Sequence, residues 1–413
     1  MDQASDIDVQ SFPAERRSLR IAVVTETYPP EVNGVATTLA RVVEGLHRRG
    51  HDLQLVRPRQ KAATPGPLTP RLDEVLMRGL PIPRYPNLRM GLPSKRTLVK
   101  LWSTSRPDVV HVATEGPLGW SALQAARHLH LPVTSDFRTN FHAYSRHYGI
   151  GWLNKPIMAY LRKFHNLTAS TMVPTAQLRN ELQLAGFKRL AVVSRGVDAQ
   201  LFTPERRSAS LRESWGLRQD QLVVCCVGRL AAEKNLDLLA NAFEAIRAQD
   251  ADARLLLVGS GPLRAELEAR CPDAIFAGQR SGPDLAAHYA SADLFLFPSM
   301  TETFGNVTTE ALASGLPVLA YRHAGAGEMI VDGLNGRLVP YGDAAAFTRT
   351  ALELARDGQQ RARLAAAARE RAVAQDWGLI CEAFEAELLK ACGWAAGDAG
   401  ALLGAERLSR EYA

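Results

Sequence analysis

Several short segments of this 413-residue sequence combine residue types that could hold a phosphorylated ligand. The richest is Pro298-Ser299-Met300-Thr301-Glu302-Thr303-Phe304-Gly305-Asn306-Val307-Thr308-Thr309-Glu310, where an apolar run ends, a glycine-containing loop follows and a helical pattern begins near Asn306. Glu302 falls in the loop, and Glu310 about one turn into the helix. The loop amides of Thr303, Phe304 and Gly305 can converge on an anion, as N–H groups at a helix start do. A carboxylate suits hydroxyls better than a phosphate. Glu310 is therefore expected to take two ribose hydroxyls and Glu302 to hold a sugar, which together describe a sugar nucleotide.

Gly228-Arg229-Leu230-Ala231-Ala232-Glu233-Lys234 ends another apolar run and opens another helical pattern. Arg229 and Lys234 are either two solvated cations or a pair converging on a diphosphate, neutralising charge as it departs. Gly34, in Pro30-Glu31-Val32-Asn33-Gly34-Val35, serves either the turn alone or the close approach of an anion to a helix start. Gly259-Ser260-Gly261-Pro262-Leu263-Arg264 imitates a dinucleotide fingerprint, but Arg264 stands where the third glycine belongs and the strand before it is not the first of its domain. A tight turn beside the site is expected there, not a nicotinamide cofactor. Asp250-Ala251-Asp252 follows a long helix and reads as a loop, and Asp6-Ile7-Asp8 lies in a terminal tail. No metal is expected.

The elements that position these segments alternate in type. Apolar, β-branched runs occur at 19–25, 53–57, 109–112, 132–136 and 191–194, then at 222–228, 254–259, 275–278, 294–298 and 318–321. Helical patterns separate them. Continuous apolar strands alternating with helices imply parallel sheets covered on both faces, an α/β protein. Ten strands and this length suit two doubly wound domains. The expected division is a flexible tail at 1–18, a first Rossmann-like domain at 19–200, a linker at 201–218, a second domain at 219–376, and a C-terminal helix and tail at 377–413. Beyond residue 343 the pattern is Ala-, Arg- and Glu-rich helix to about residue 391.

Composition excludes several classes. Hydrophobic residues make up 46% and charged residues 22%, as in globular proteins. The longest apolar run, Leu222–Val227, is far short of the ~18 residues of a membrane span. The first 18 residues carry Asp2, Asp6, Asp8 and Glu15 with no apolar segment, so no signal peptide is expected. Five cysteines without a C-x-x-C motif read as thiols of a reducing, cytoplasmic compartment. The net charge of +6 is unevenly spread: residues 1–205 hold 27 Lys+Arg against 16 Asp+Glu, a balance of +11, which leaves −5 for the rest. Arg84, Arg89, Lys95, Arg96 and Lys100 interleave with Tyr85, Leu88, Met90 and Leu92, a pattern suited either to a solvated face or to docking on an anionic leaflet.

The Glu-x7-Glu spacing around Thr303-Phe304-Gly305 resembles the retaining glycosyltransferases of family 4, with their GT-B architecture. Gly228-Arg229-Leu230 with Lys234, the Pro-Glu-Val-Asn-Gly opening and Gly196-Val197-Asp198 before the linker fit the same family, over residues 19–390. The resemblance implies two Rossmann-like domains facing across a cleft, the second binding a nucleoside diphosphate sugar and the first its acceptor. It also implies a C-terminal helix returning to the first domain near Asp376-Trp377. It implies transfer of a hexose, mannose or glucose, with retention and without metal or other cofactor, by front-face substitution in which the departing phosphate helps deprotonate the acceptor. Glu302, Arg229, Lys234 and Arg138 would serve catalysis. Gly34, Gly228, Gly259, Thr303, Phe304, Gly305 and Glu310 would line the donor site. The family's aromatic-His-Thr-Asn stretch reads Phe137-Arg138-Thr139-Asn140 here. Arg138 cannot act as a base; it could meet an anionic group, or His142 could substitute. Relatives that mannosylate phosphatidylinositol or glycosylate diacylglycerol point to a lipid or glycan acceptor at the inner membrane surface and to no nucleic acid. A sugar-nucleotide epimerase and a non-catalytic binder of nucleotide or lipid remain as alternatives.

Overall fold

The computed structural model describes residues 18–31, 33–60, 69–82, 85–138 and 154–394. His142 and His147, residues 1–17 of the tail and residues 395–413 lie outside these, as does Arg84. Among the described residues the first half contains β1 (Arg20–Val24), α1 (Gly34–Arg48), β2 (Asp52–Pro58), β3 (Leu72–Met77), β4 (Gly79–Ile82), β5 (Tyr85–Gly91), α2 (Lys95–Thr104), β6 (Val109–Val112), α3 (Pro117–His128), β7 (Val133–Asp136), α4 (Asn154–His165), β8 (Ser170–Val173), α5 (Ala176–Leu184) and β9 (Leu190–Val192). After a short helix α6 (Ala209–Ser214), the second half contains β10 (Val223–Val227), α7 (Leu236–Arg247), β11 (Arg254–Val258), α8 (Arg264–Arg270), β12 (Ile275–Gly278), α9 (Gly282–Ala290), β13 (Leu294–Phe297), α10 (Asn306–Ala313), β14 (Val318–Tyr321), α11 (Ala324–Met329) and β15 (Arg337–Val339). Helices α12 (Ala344–Arg356), α13 (Gly358–Val373) and α14 (Trp377–Ala391) complete the chain.

Thirteen strands form two parallel sheets, ordered β3-β2-β1-β6-β7-β8-β9 and β12-β11-β10-β13-β14-β15. Strands β4 and β5 make a separate antiparallel hairpin. The central strands are apolar on both faces because helices cover both: Val23 and Leu55 pack with α1 residues Leu39 and Val43, whereas Val24 and Val110 pack with α3 residues Leu118 and Ala122. In the first sheet the chain leaves β1 for its neighbour β2 but leaves β6 for β7 on the opposite side. In the second it leaves β10 for β11 and β13 for β14 in the same way. The strand order therefore reverses between β1 and β6 and between β10 and β13, and each reversal opens a crevice at the carboxyl ends of its strands.

Residues 201–218, expected as the linker, pack against the second unit. Phe202 and Leu217 join the core of the second sheet. Arg212 is fully buried: its guanidinium donates to the carbonyls of Ser291 (2.8 Å) and Gln221 (2.6 Å) and reaches Asp293 (3.2 Å). A buried guanidinium with carbonyl partners fastens this segment to the second unit.

Helix α14 is capped by Asp376, whose carboxylate accepts from Gly378 N–H at 2.6 Å. Its residues Ile380, Phe384 and Leu388 complete the core of the first sheet beside Leu19, Val42 and Leu46. The His51 ring accepts from Leu19 N–H at Nδ1 (3.0 Å), so Nε2 carries the proton toward Glu385 (2.8 Å). Arg49 meets the other Glu385 oxygen. Burial alone would raise the Glu385 carboxyl, but hydrogen bonds from His51 and Arg49 hold it below its usual range.

Candidate donor site

The crevice between β10 and β13 brings together residues 68 apart in sequence: Lys234, in the loop after β10, reaches Glu302, in the loop after β13. Ser299 Oγ donates to the same Glu302 oxygen at 2.7 Å. The Lys234 ammonium lies 5.6 Å from the centre of the Phe297 ring. Burial would push the Glu302 carboxyl up, yet Lys234 and Ser299 outweigh it and hold the group ionised. Arg229 stands at the mouth, 3.6 Å from the buried carboxylate of Glu233.

Glycine geometry builds this floor. Gly305 caps α10 at φ +89°, in the left-handed region. The loops after β10 and β11 touch, and a Cβ on Gly259 would lie 1.9 Å from the Gly228 carbonyl oxygen. Gly261 is equally confined, 2.3 Å from Leu230 O. The glycines that imitate a dinucleotide fingerprint thus let one loop support another. Gly259→Ala is expected to displace the Arg229–Lys234 loop and destabilise the fold by about 2–4 kcal/mol, read as a lowered urea midpoint.

Phe304 is 3% exposed; its ring packs in the core and its carbonyl accepts from Gly325 N–H at 2.9 Å. Thr303 Oγ donates across the cleft to the Arg138 carbonyl at 3.0 Å. Glu310 lies on α10, where Tyr289 OH donates to it at 2.9 Å. Burial raises its carboxyl to about 7. Opposite, Gly34 begins α1, and Asn306 Nδ2 donates to Thr38 Oγ at 3.2 Å. The N-termini of α1 and α10 therefore face each other.

Arg138 reaches the cleft through its backbone only. Its side chain is 2% exposed and turned onto Asp136, beside His111 (3.3 Å from Asp136). Burial would raise Asp136, but Arg138 and His111 hold it well below the usual carboxylate range. Arg195 joins this cluster, lowered to about 9 by burial and by the charge of Arg138.

Two site residues escape sequence reading. Tyr289 fixes Glu310 from a helix 21 positions upstream, with no local signal. His323 sits between the units: Gln177 accepts from Ala324 N–H (3.1 Å), which turns its amide nitrogen to His323 Nδ1 (3.0 Å). Burial holds His323 below its ordinary value. Its place after β14, at the same carboxyl edge, is the signal that could have found it.

Residues 32–201 match the profile of Glycosyltransferase Family 4, and residues 221–357 that of Glycosyl transferases group 1. The chain is 35% identical over 369 residues to a GDP-mannose-dependent alpha-mannosyltransferase of Mycobacterium tuberculosis, covering 88% of this chain and 94% of that one. The chain belongs to glycosyltransferase family 4. It is also 29% identical to the GDP-mannose-dependent alpha-(1-6)-phosphatidylinositol monomannoside mannosyltransferase of Mycolicibacterium smegmatis, over 84% of this chain and 92% of that one. In fold it is similar to the sucrose-phosphate synthase of Thermosynechococcus elongatus, with a TM-score of 0.73 at 20% identity, covering 88% of this chain and 96% of the other. The architecture is GT-B. The epimerase and binder alternatives find no support in these matches.

Proposed function

We propose that this transferase moves a hexose, with mannose the first candidate, from a nucleoside diphosphate sugar to a hydroxyl of a lipid or glycan acceptor. The observation that carries this reading is the Lys234–Glu302–Ser299 arrangement in the second crevice, with Glu310 on the adjoining helix. The diphosphate would lie between the N-termini of α1 and α10, where backbone N–H groups and helix dipoles favour negative charge. Arg229 and Lys234 would neutralise it as it leaves. Glu310 would accept from the ribose hydroxyls and Glu302 from the sugar. The bond from C1 to the phosphate oxygen breaks, a bond from C1 to the acceptor oxygen forms, and the acceptor proton passes to the departing phosphate. Retention of configuration follows from attack on the face the phosphate leaves. Two cations in the place of a divalent ion support a reaction without metal. The acceptor would meet the first domain, whose exposed Lys95, Arg96 and Lys100 on α2 support contact with an anionic leaflet. Among the described residues no helix is long and apolar enough to cross a membrane. The five free thiols support a cytoplasmic location.

A thermal-shift panel of GDP-mannose, UDP-glucose, UDP-galactose and UDP-GlcNAc tests the donor. At about 100 times Kd a true donor adds about 2.7 kcal/mol. GDP-mannose is expected to give the largest shift, and proton NMR of the product to show the donor's anomeric configuration. No shift with any of the four overturns the reading.

A further inference from the structure

The first domain grips the loop between β13 and α10 at two points. One is direct, the hydrogen bond from Thr303 Oγ to the Arg138 carbonyl. The other runs through α11. Ala176 N–H, at the start of α5, donates to Glu328 on α11. The next side chain, Gln177, reaches the residues that open α11: its oxygen accepts from Ala324 N–H at 3.1 Å, and its nitrogen meets His323 Nδ1 at 3.0 Å and Glu181 at 2.8 Å. From there Gly325 N–H donates to the Phe304 carbonyl at 2.9 Å. A Cβ on Gly325 would lie 2.5 Å from that oxygen, so the start of α11 cannot shift without the loop that carries Glu302.

These partners leave one arrangement of protons. A backbone N–H only donates, which fixes the Gln177 oxygen toward Ala324, and the Glu181 carboxylate accepts from the nitrogen. The second amide N–H therefore donates to His323, whose Nδ1 must carry no proton. An imidazolium, protonated on both nitrogens, would set N–H against N–H. The charged and titratable groups around the ring are Glu181 on α5, Glu302 in the loop after β13 and Tyr341 after β15, whose ring centre is 5.0 Å away. Arg322 is exposed, and Glu328 is taken up by Ala176 N–H. The two carboxylates favour a charged ring, but burial outweighs them and lowers His323 below its ordinary 6.5. The contact is therefore at full strength above 6.5 and is lost as pH falls through the lower value.

We propose that Gln177 is a positioning residue for the transfer: from the first domain it holds α11, and through Phe304 the Glu302 loop, by a latch that forms only with neutral His323. This rests on the transferase reading above. Gln177 acts through other residues, aligning the acceptor-side domain over the donor sugar. Its effect therefore falls on kcat at saturating donor.

The decisive variant is Gln177→Glu, at an exposed position where folding is not at stake. A carboxylate still accepts from Ala324 N–H, but its second oxygen accepts as well, so the latch then requires protonated His323 and its pH dependence inverts. Gln177→Leu removes the latch at every pH. Backbone deuterium exchange over residues 322–328 of the full chain, compared between variants at the same pH, reads the latch without turnover. Dividing each kcat by that of Gln177→Leu at the same pH cancels the other titrations. For the wild type this ratio is expected to be about fivefold at about pH 7.5, the scale of one net hydrogen bond, and to vanish toward unity at about pH 5. For Gln177→Glu the order is reversed, with the slower exchange and the higher ratio at the acid end. Gln177→Glu keeping the wild-type order in exchange, or Gln177→Leu exchanging like the wild type, overturns the latch. Altered exchange with unchanged kcat overturns the positioning role. A wild type that turns over none of the four nucleotide sugars defeats the transferase reading instead, while exchange still decides the latch.

Discussion

Lys234→Ala is expected to lower kcat by about 10²–10³, the scale of losing one preorganised charge at a departing group. In the free protein the ammonium rests on Glu302, beside Ser299 and the Phe297 ring, so it is already desolvated and aimed into the crevice. It needs little reorganisation to turn to a diphosphate. Its removal also strands a half-buried carboxylate. That second effect is about 1–2 kcal/mol, because side-chain exposures of 17% and 15% leave some solvent screening. The two effects separate in the double variant Lys234→Ala/Glu302→Gln, where the neutral amide no longer needs a counter-ion. Its melting temperature is expected to return toward wild type while turnover stays low. A single variant with near-normal kcat, or a double variant that regains turnover, would show that Lys234 only holds Glu302.

The same pair shows how far sequence reasoning reaches. Alternating apolar runs and helices are enough to require two parallel sheets, and glycine-containing loops after β10 and β13 are visible as motifs. That these loops adjoin is a property of strand order, which only the reversal between β10 and β13 makes evident. The missed strands have physical disguises. Strand β3 carries Asp73 and Glu74 because it is an edge strand: both side chains, on opposite faces, reach solvent, and Glu74 meets Arg57 on β2. Strand β8 reads Ser-Thr-Met-Val, too polar for an interior strand, yet Thr171 is buried within a hydroxyl network with Ser135 and Thr168. Arg138 held a readable signal. Side chains two apart at a strand end share a face, so Asp136 was placed to take its guanidinium, as the structure shows. Arg212 held none, since a charged residue in a polar stretch gives no sign that carbonyls from two loops will surround it.

Glu310→Gln is expected to change stability and donor affinity in opposite directions. The folded protein raises this carboxyl from 4.5 to about 7 by burial, with only the Tyr289 hydroxyl as partner. The folded state thus retains a proton that the unfolded chain releases. Stability from this group is full below the unfolded value, falls as pH rises through the interval and is lost above about 7. At about pH 8 the wild type holds an ionised, poorly solvated carboxylate. The amide removes that burden, worth about 2 kcal/mol after allowing for partial exposure. Glu310→Gln should therefore melt higher than wild type at about pH 8 and match it near pH 4.5. Donor binding asks for the opposite state. An ionised carboxylate can accept from two ribose hydroxyls, whereas an amide offers one acceptor and an unwanted donor, a loss of about 10–100-fold in affinity. Wild-type donor affinity should accordingly tighten as pH rises from about 6 to 8, with proton release on binding, and the variant's should stay flat. A flat wild-type profile, or a variant less stable at about pH 8, would remove Glu310 from the ribose. Opposite signs would identify its strained burial as the feature that readies it for the donor.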